Sequence, residues 1–182
     1  LVYENQKDDL LRNEEHLRKE AEIMRDRIDS TYGIMSLTSK RDDFLMWSYY
    51  ANSHNGICIG FDMDQLQDSV QGIFGKVNYE REIPILHLSD LLDPIMFYKR
   101  SLSTKSINWK HEDEYRLAKS EMSRKTIHID LDIIKEVILG YNMPLEDKCK
   151  IIELIRQTNN DCLIFEALLN NSEFKLDINR IY

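Results

Sequence analysis

Long apolar runs, glycine, proline and cysteine are all scarce in this sequence, and each shortage removes a class of function. No apolar stretch approaches the roughly 20 residues that a membrane-spanning helix requires, so no membrane partner is expected. The 6 glycines never fall into a G-x-G-x-x-G or G-K-S/T pattern, which leaves the chain without a glycine-built phosphate loop. Its 3 cysteines, Cys58, Cys149 and Cys162, are odd in number and widely spaced, with no C-x-x-C pair. They predict buried free thiols in a reducing, cytoplasmic compartment rather than a disulfide framework or a zinc site. His16, His54, His87, His111 and His128 show no metal-binding spacing such as H-E-x-x-H, so no metal cofactor is predicted. A G-x-S-x-G elbow, the usual mark of a serine hydrolase, is missing as well. Basic residues are the minority: 24 Lys and Arg face 32 Asp and Glu, for a net charge of −8. That balance opposes the counterion-release binding on which nonspecific nucleic-acid association depends, and nucleic acid is a disfavoured partner.

What is present fits an ordinary globular domain. With 182 residues, 42 % hydrophobic and 31 % charged, the chain has material for one core. A core of that size buries about two thirds of the surface the unfolded form exposes. The chain opens on Leu1 followed by charged residues, with no signal-peptide pattern. The expectation is a single domain over 1–182 that lacks the N-terminal segment of a longer domain.

Leu10, Leu17, Ala21, Met24 and Ile28 recur at helical steps in a charge-dense segment. They predict a long amphipathic helix over residues 5–28 whose narrow apolar stripe is open to a partner helix. A short polar strand over 33–38 follows. Next comes a helix that begins near Ser39, whose S-x-x-D spacing resembles a capping box, and stops at Asn55-Gly56, where glycine can take the left-handed conformation. Alternation predicts strands over 57–62 and 73–79, with a short helix over 63–70 between them. Asp93-Pro94 starts a helix that is predicted to reach about Lys105. Strands are expected over 115–119 and 126–130, paired around a turn, and over 136–140. A helix over 144–158 and a closing hairpin over 163–169 and 174–181 complete the chain. The fold class is α/β of the α+β kind: one mixed, mostly antiparallel sheet with flanking helices.

Two clusters are fit to form a polar cleft. In the helix after Ser39, Asp43, Trp47, Tyr50 and His54 follow one another at helical steps, so a carboxylate, two polar-tipped aromatics and an imidazole share one face. Such a face suits a cleft wall on which a planar ligand stacks. The plainer reading makes Trp47 and Tyr50 core aromatics and His54 a partner of the helix dipole. The second cluster runs from Trp109 to Leu117. On a strand, Glu112, Glu114 and Arg116 point one way while Tyr115 and Leu117 point to the core. Two carboxylates so close repel unless Arg116 offsets their charge. The arrangement suits acid–base work or stabilisation of an oxocarbenium ion, and equally suits a surface Glu–Arg ladder. Trp109 is expected as a buried anchor, and Trp47 or His54 is expected to face Glu112 or Glu114 across one concavity. Lys99, Arg100, Lys105 and Lys110 form a basic run that either meets a phosphate or is simply solvated.

Several short motifs then fall into one order. Ser36-Leu-Thr-Ser39, Met46-Trp47-Ser48-Tyr49-Tyr50-Ala51, His54-Asn-Gly56 and Ile59-Gly60-Phe61-Asp62 are followed by Trp109-x-x-Glu112-x-Glu114-Tyr-Arg116-Leu and Val137-Ile-Leu-Gly140. From Tyr32 onward the chain thereby resembles the bacterial domain-of-unknown-function family 2971. That family's usual N-terminal segment, with a tyrosine-bearing strand and an Asn-Asp-Pro-Phe-like motif, does not appear in this sequence.

The family name carries no reaction. The polar strand Ser36–Thr38, the aromatic-rich helix and Glu112-x-Glu114 are similar, in order, to the serine-strand, aromatic and E-x-E elements of ADP-ribosyltransferases. That resemblance implies that Glu114 binds the nicotinamide ribose and stabilises the oxocarbenium ion, with Arg116 beside it and Glu112 assisting the nucleophile. Tyr50 or Trp47 stacks on nicotinamide, Ser36, Thr38 and His54 complete the site, and NAD is the substrate. The implied function is an NAD-processing effector of a defence or toxin system. The alternative is a noncatalytic module whose cleft holds a nucleotide or a peptide. A third reading, a metal-dependent nuclease built on Asp42, Asp43, Glu112 and Glu114, is disfavoured by the acidic balance.

Overall fold

Charge over most of its surface and Ala21, Met24 and Ile28 along one side make Glu14–Thr31 a helix, α1, in a computed structural model that describes residues 14–87, 90, 92–159 and 161–181. The part of the expected helix ahead of Glu14 lies outside the described residues. Ile28 packs with Phe97, Tyr98, Leu102 and Ala118, so this end of the apolar stripe is covered by the chain itself.

The chain continues through β1 (Tyr32–Thr38), α2 (Phe44–Tyr50), β2 (Ile57–Phe61), α3 (Met63–Val70), β3 (Ile73–Lys76), β4 (Asn78–Glu80), α4 (Pro94–Phe97) and β5 (Thr104–Ser106). It ends with β6 (Glu114–Ser120), β7 (Ile134–Leu139), α5 (Leu145–Thr158), β8 (Leu163–Leu169) and β9 (Leu176–Arg180). The class is α+β, as expected, but the strands divide among sheets of order β1-β6-β3, β2-β7-β8-β9 and β4-β5 instead of forming one. Pairing is antiparallel except between β7 and β8 and between β4 and β5.

Each departure from the sequence reading has a local cause. The strand expected over 73–79 breaks at buried Val77, whose N–H donates to the Glu114 carbonyl at 2.9 Å, while the N–H of Asn78 turns to the Ser103 carbonyl at 2.8 Å. The chain therefore leaves β6 for β5. The helix expected to run from Pro94 to Lys105 keeps only α4 and a wide helical turn over Tyr98–Leu102, because Thr104 and Lys105 pair with β4. Residues 126–130 form no strand. Both edges of β6 are already taken by β1 and β3, and Ile127 and Ile129 pack instead against Leu66 and Leu117.

Helix α2 starts later than the capping-box spacing implied. Ser39 bonds Asp113, and it is Asp43 whose carboxylate accepts the N–H groups of Leu45 and Met46, at 3.0 and 3.1 Å. At the other end Asn52, Ser53 and His54, not Gly56, take the left-handed conformation, with φ of 48°, 52° and 67°. Gly140 answers a different need, since a Cβ there would lie 2.1 Å from the His54 carbonyl oxygen.

The second half of β7, Val137-Ile138-Leu139, is apolar on both faces because both are covered. Val137 and Leu139 pack with Ile155 of α5, and Ile138 packs with Trp47 of α2. Burial pushes the thiols of Cys58 and Cys162 up, whereas Cys149 is exposed, against expectation, on the outer side of α5. Among the described residues no helix is long and apolar enough to cross a membrane.

Candidate functional site

The pairing of β1 with β6 sets the polar strand against the acidic one, with Ser36 opposite Arg116 and Thr38 opposite Glu114. Met35 and Leu37 pack against Leu66 and Leu117, so by alternation Ser36 and Thr38 lie on the other face. The Thr38 hydroxyl donates to the Glu112 carbonyl at 2.6 Å and accepts the N–H of Lys40 at 3.1 Å. Thr38 thus latches the backbone of the acidic segment and leaves the carboxylates to others.

Glu112 does not share a strand with Glu114. It ends a 3-10 turn over Ile107–Glu112, and Asp113 takes a left-handed conformation, φ 44°, before β6 begins. Lys76 holds Asp113 from the side at 2.6 Å. This kink achieves what strand alternation was expected to achieve: both carboxylates turn towards one ammonium group. Lys105 of β5 pairs with Glu112 and, at 3.0 Å, with Glu114. Arg116 forks onto Glu114, with Nε 2.8 Å from Oε1 and Nη2 3.3 Å from Oε2, and its Nη1 donates to the Leu102 carbonyl at 2.6 Å. The Tyr50 hydroxyl donates to Glu112 Oε1 at 2.8 Å, and the Tyr79 hydroxyl accepts the Glu114 N–H at 2.8 Å.

Glu112 and Glu114 are only 2 % and 4 % exposed, so their charges need the two cations beside them. Burial alone raises the Glu114 pKa, but Arg116, Lys105 and Ser36 outweigh it and hold the carboxyl at about 2. Burial works against the Lys105 charge too, and its bonds to Glu112 and Glu114 win, leaving its pKa raised. The Tyr50 pKa is raised first by its bond to Glu112 and then by burial. The result is a balanced quartet of charges in which Lys105 answers the repulsion between the carboxylates.

The expected aromatic face divides. Trp47 is buried in the core, and its indole N–H donates to the Arg41 carbonyl at 2.8 Å. His54 lies past the end of α2, buried between the rings of Phe44 and Tyr141 at 4.5 and 4.8 Å, and burial lowers its pKa. Only Tyr50 reaches the carboxylates, in place of the Trp47 or His54 expected to face them, because the helix stops one turn before His54. Trp109 is not a buried anchor either: the 3-10 turn carries it to the surface beside Tyr49. Of the four acids in the nuclease reading, Asp43 is engaged in capping α2, well apart in role from the quartet. Among the described residues no group of three or more His, Cys, Asp or Glu is placed to hold a metal ion.

Lys105 and Arg116 also line a cleft of about 830 Å³ bounded by α1, β1, β4, β5 and the loop over 81–86. Arg25, Arg81, Arg100 and Arg124 join them, against Asp29, Glu80 and Glu82. Cations therefore dominate this cavity in a chain whose net charge is −8. Arg100 is paired with Asp90 at 3.2 Å, whereas Arg25, Arg81 and Arg124 are exposed and have no acidic partner among the described residues. Of the basic run read in the sequence, Arg100 and Lys105 reach this cleft and Lys99 and Lys110 do not. Arg25, Arg81 and Arg124 come from three separate parts of the fold, and no local motif announces them.

No curated protein and no solved structure matches the chain. Residues 46–117 match the family described as protein of unknown function DUF2971, and this segment, which holds Tyr50, Lys105, Glu112, Glu114 and Arg116, carries the chain's resemblance to that family.

Proposed function

We propose that this domain binds a phosphate-bearing nucleotide of the size and charge of NAD in the cleft between α1 and the β4–β5 pair. The reading rests on the convergence of six basic side chains, Arg25, Arg81, Arg100, Lys105, Arg116 and Arg124, on one cavity of about 830 Å³. That volume suits a small-molecule ligand, and guanidinium forks match phosphate oxygens bidentately. Glu112 and Glu114 hold Lys105 and Arg116 from behind, so these two cations are positioned before a ligand arrives and less ordering is left to binding. The acidic net charge opposes long polyanions that touch much of the surface, while a small ligand responds to the cleft alone.

A second reading makes the site catalytic: an ADP-ribosyltransferase-like, NAD-processing enzyme acting as a bacterial defence or toxin effector. Glu114 favours it, since the carboxylate is held ionised and is flanked by two cleft-lining cations. A fixed negative charge stabilises an oxocarbenium ion forming on the nicotinamide ribose more than it stabilises the neutral ground state. Glu112, tied to Tyr50, would then assist the nucleophile, and Lys105 would have to move off Glu114 as the ribose enters. Calorimetric titration with NAD, run beside a measurement of nicotinamide release, tests both. Binding without release supports the first reading, and release that Glu114→Gln abolishes supports the second. Failure of NAD, ADP-ribose and ATP alike to bind contradicts both.

A further inference from the structure

We infer that Tyr49, Tyr50 and Trp109 form a stacking site for the aromatic ring of the nucleotide, next to the basic cleft and joined to it through Lys105. The choice of a nucleotide as ligand rests on the cleft reading, whereas the stacking site itself stands on separate observations. Tyr49, Tyr50 and Trp109 are 59 %, 63 % and 40 % exposed, yet they are contiguous. Ring centroids lie 6.5 Å apart between Tyr49 and Tyr50 and 6.3 Å apart between Tyr49 and Trp109. Large aromatics left together in water mark a binding surface more often than a packing accident.

The rings are also held in place. The Tyr50 hydroxyl is tied to Glu112, and Lys105 Nζ sits 5.1 Å from the centroid of the Trp109 ring. The turn that carries Trp109 is capped by Ser106, whose hydroxyl oxygen accepts the Asn108 N–H at 3.4 Å. The interplanar angles of 86° and 68° make corners instead of closed stacks between Tyr49 and its two neighbours, although Lys105 lies over one face of Trp109 and His111 lies 6.0 Å from its ring. An incoming planar ring can lie face-on to one aromatic while meeting the edge of the next, the arrangement that aromatic pairs prefer. Lys105 lines the cleft as well as covering Trp109, so a ligand with its phosphates in the cleft has a ring platform within reach of the same lysine.

The test uses four probes on the whole chain: pyrophosphate for the cleft alone, adenosine and nicotinamide riboside for the ring alone, and NAD for both. Trp47 is buried and Trp109 exposed, so intrinsic fluorescence reports ring contact at Trp109. NAD and at least one nucleoside are expected to quench it saturably, and the nucleoside that does so identifies the ring. Read by calorimetry, Tyr49→Ala and Trp109→Leu are expected to weaken NAD binding about tenfold, as loss of a stacking partner does, while Tyr49→Ala leaves pyrophosphate binding unchanged and Tyr49→Phe keeps the wild-type affinity for NAD. Near-ultraviolet circular dichroism confirms that the variants are folded. If NAD binds both variants as tightly as wild type, or if no probe quenches, the stacking site is overturned whether or not pyrophosphate binds. If pyrophosphate does not bind but a nucleoside still quenches, the stacking site stands and the cleft reading falls.

Discussion

Glu114 is the residue on which the charge quartet turns, because Arg116 and Lys105 both point their donors at it and Ser36 also lowers its pKa. Glu114→Gln keeps the shape and removes the charge, leaving Arg116 and Lys105 partly uncompensated. Breaking a buried pair in this way should cost about 3 kcal/mol, read from urea denaturation at neutral pH. The pH dependence has a definite sign. The carboxyl titrates at about 2 in the folded chain against an ordinary 4.5, so its contribution is complete above 4.5 and is lost as pH falls towards 2. Unfolding midpoints across that window should drop less in Glu114→Gln than in wild type. His54 acts over a higher range. Burial lowers its pKa from 6.5 and its Nδ1 has no hydrogen-bond partner, so protonation favours the unfolded chain and stability declines as pH falls below 6.5. His54→Asn, which tolerates the left-handed backbone, should flatten that decline even though it loses packing against Phe44 and Tyr141.

At the scale of elements, Trp47 takes the core place that one of its two sequence readings gave it, and Trp109 lies at the surface instead of serving as the expected buried anchor. Trp47 sits among Ile138, Ala167 and Leu176, so Trp47→Ala should cost about 3–5 kcal/mol in thermal unfolding. Trp109→Ala should cost under about 1 kcal/mol, as exposed substitutions do. Equal losses for the two would contradict this packing. Gly140→Ala should also destabilise by at least about 2 kcal/mol, since the new methyl meets backbone oxygen of His54 and Gly56 and neither can swing aside. Elements with a full periodic pattern were legible: α3 over Met63–Val70, α5 one residue inside its expected start, and β8 over Leu163–Leu169. What could not be read depended on distant partners. Thr104 and Lys105 look helical until β4 offers its edge, and 126–130 alternates like a strand but meets no free edge of β6. The end of α2 at Tyr50 was missed because three non-glycine residues take the left-handed turn that Gly56 seemed suited to make.

On the scale of the whole molecule, the site was half legible. Glu112, Glu114, Arg116, Ser36 and Tyr50 do meet, although Glu112 arrives by way of the Asp113 kink and not along a strand. Lys105 was visible only as one cation in a basic run, and its bridging role needed β5 to be placed. Arg25, Arg81 and Arg124 gave no sign, because a cleft assembled from α1, a loop and the turn after β6 has no local spacing to betray it. We propose that this assembled cleft takes a phosphate-bearing nucleotide. The most direct measurement is calorimetric titration of NAD into wild type and into an Arg81→Ser/Arg124→Ser double variant, at low and at raised salt. Both arginines are exposed and unpaired among the described residues, so the fold should survive their loss. Wild type is expected to bind NAD saturably and more weakly as salt rises, and the double variant to bind it at least about tenfold more weakly, as expected for lost charge-assisted bonds. Wild type that gives no binding heat with NAD, ADP-ribose or ATP, or a double variant that binds NAD as tightly as wild type, would contradict the proposal.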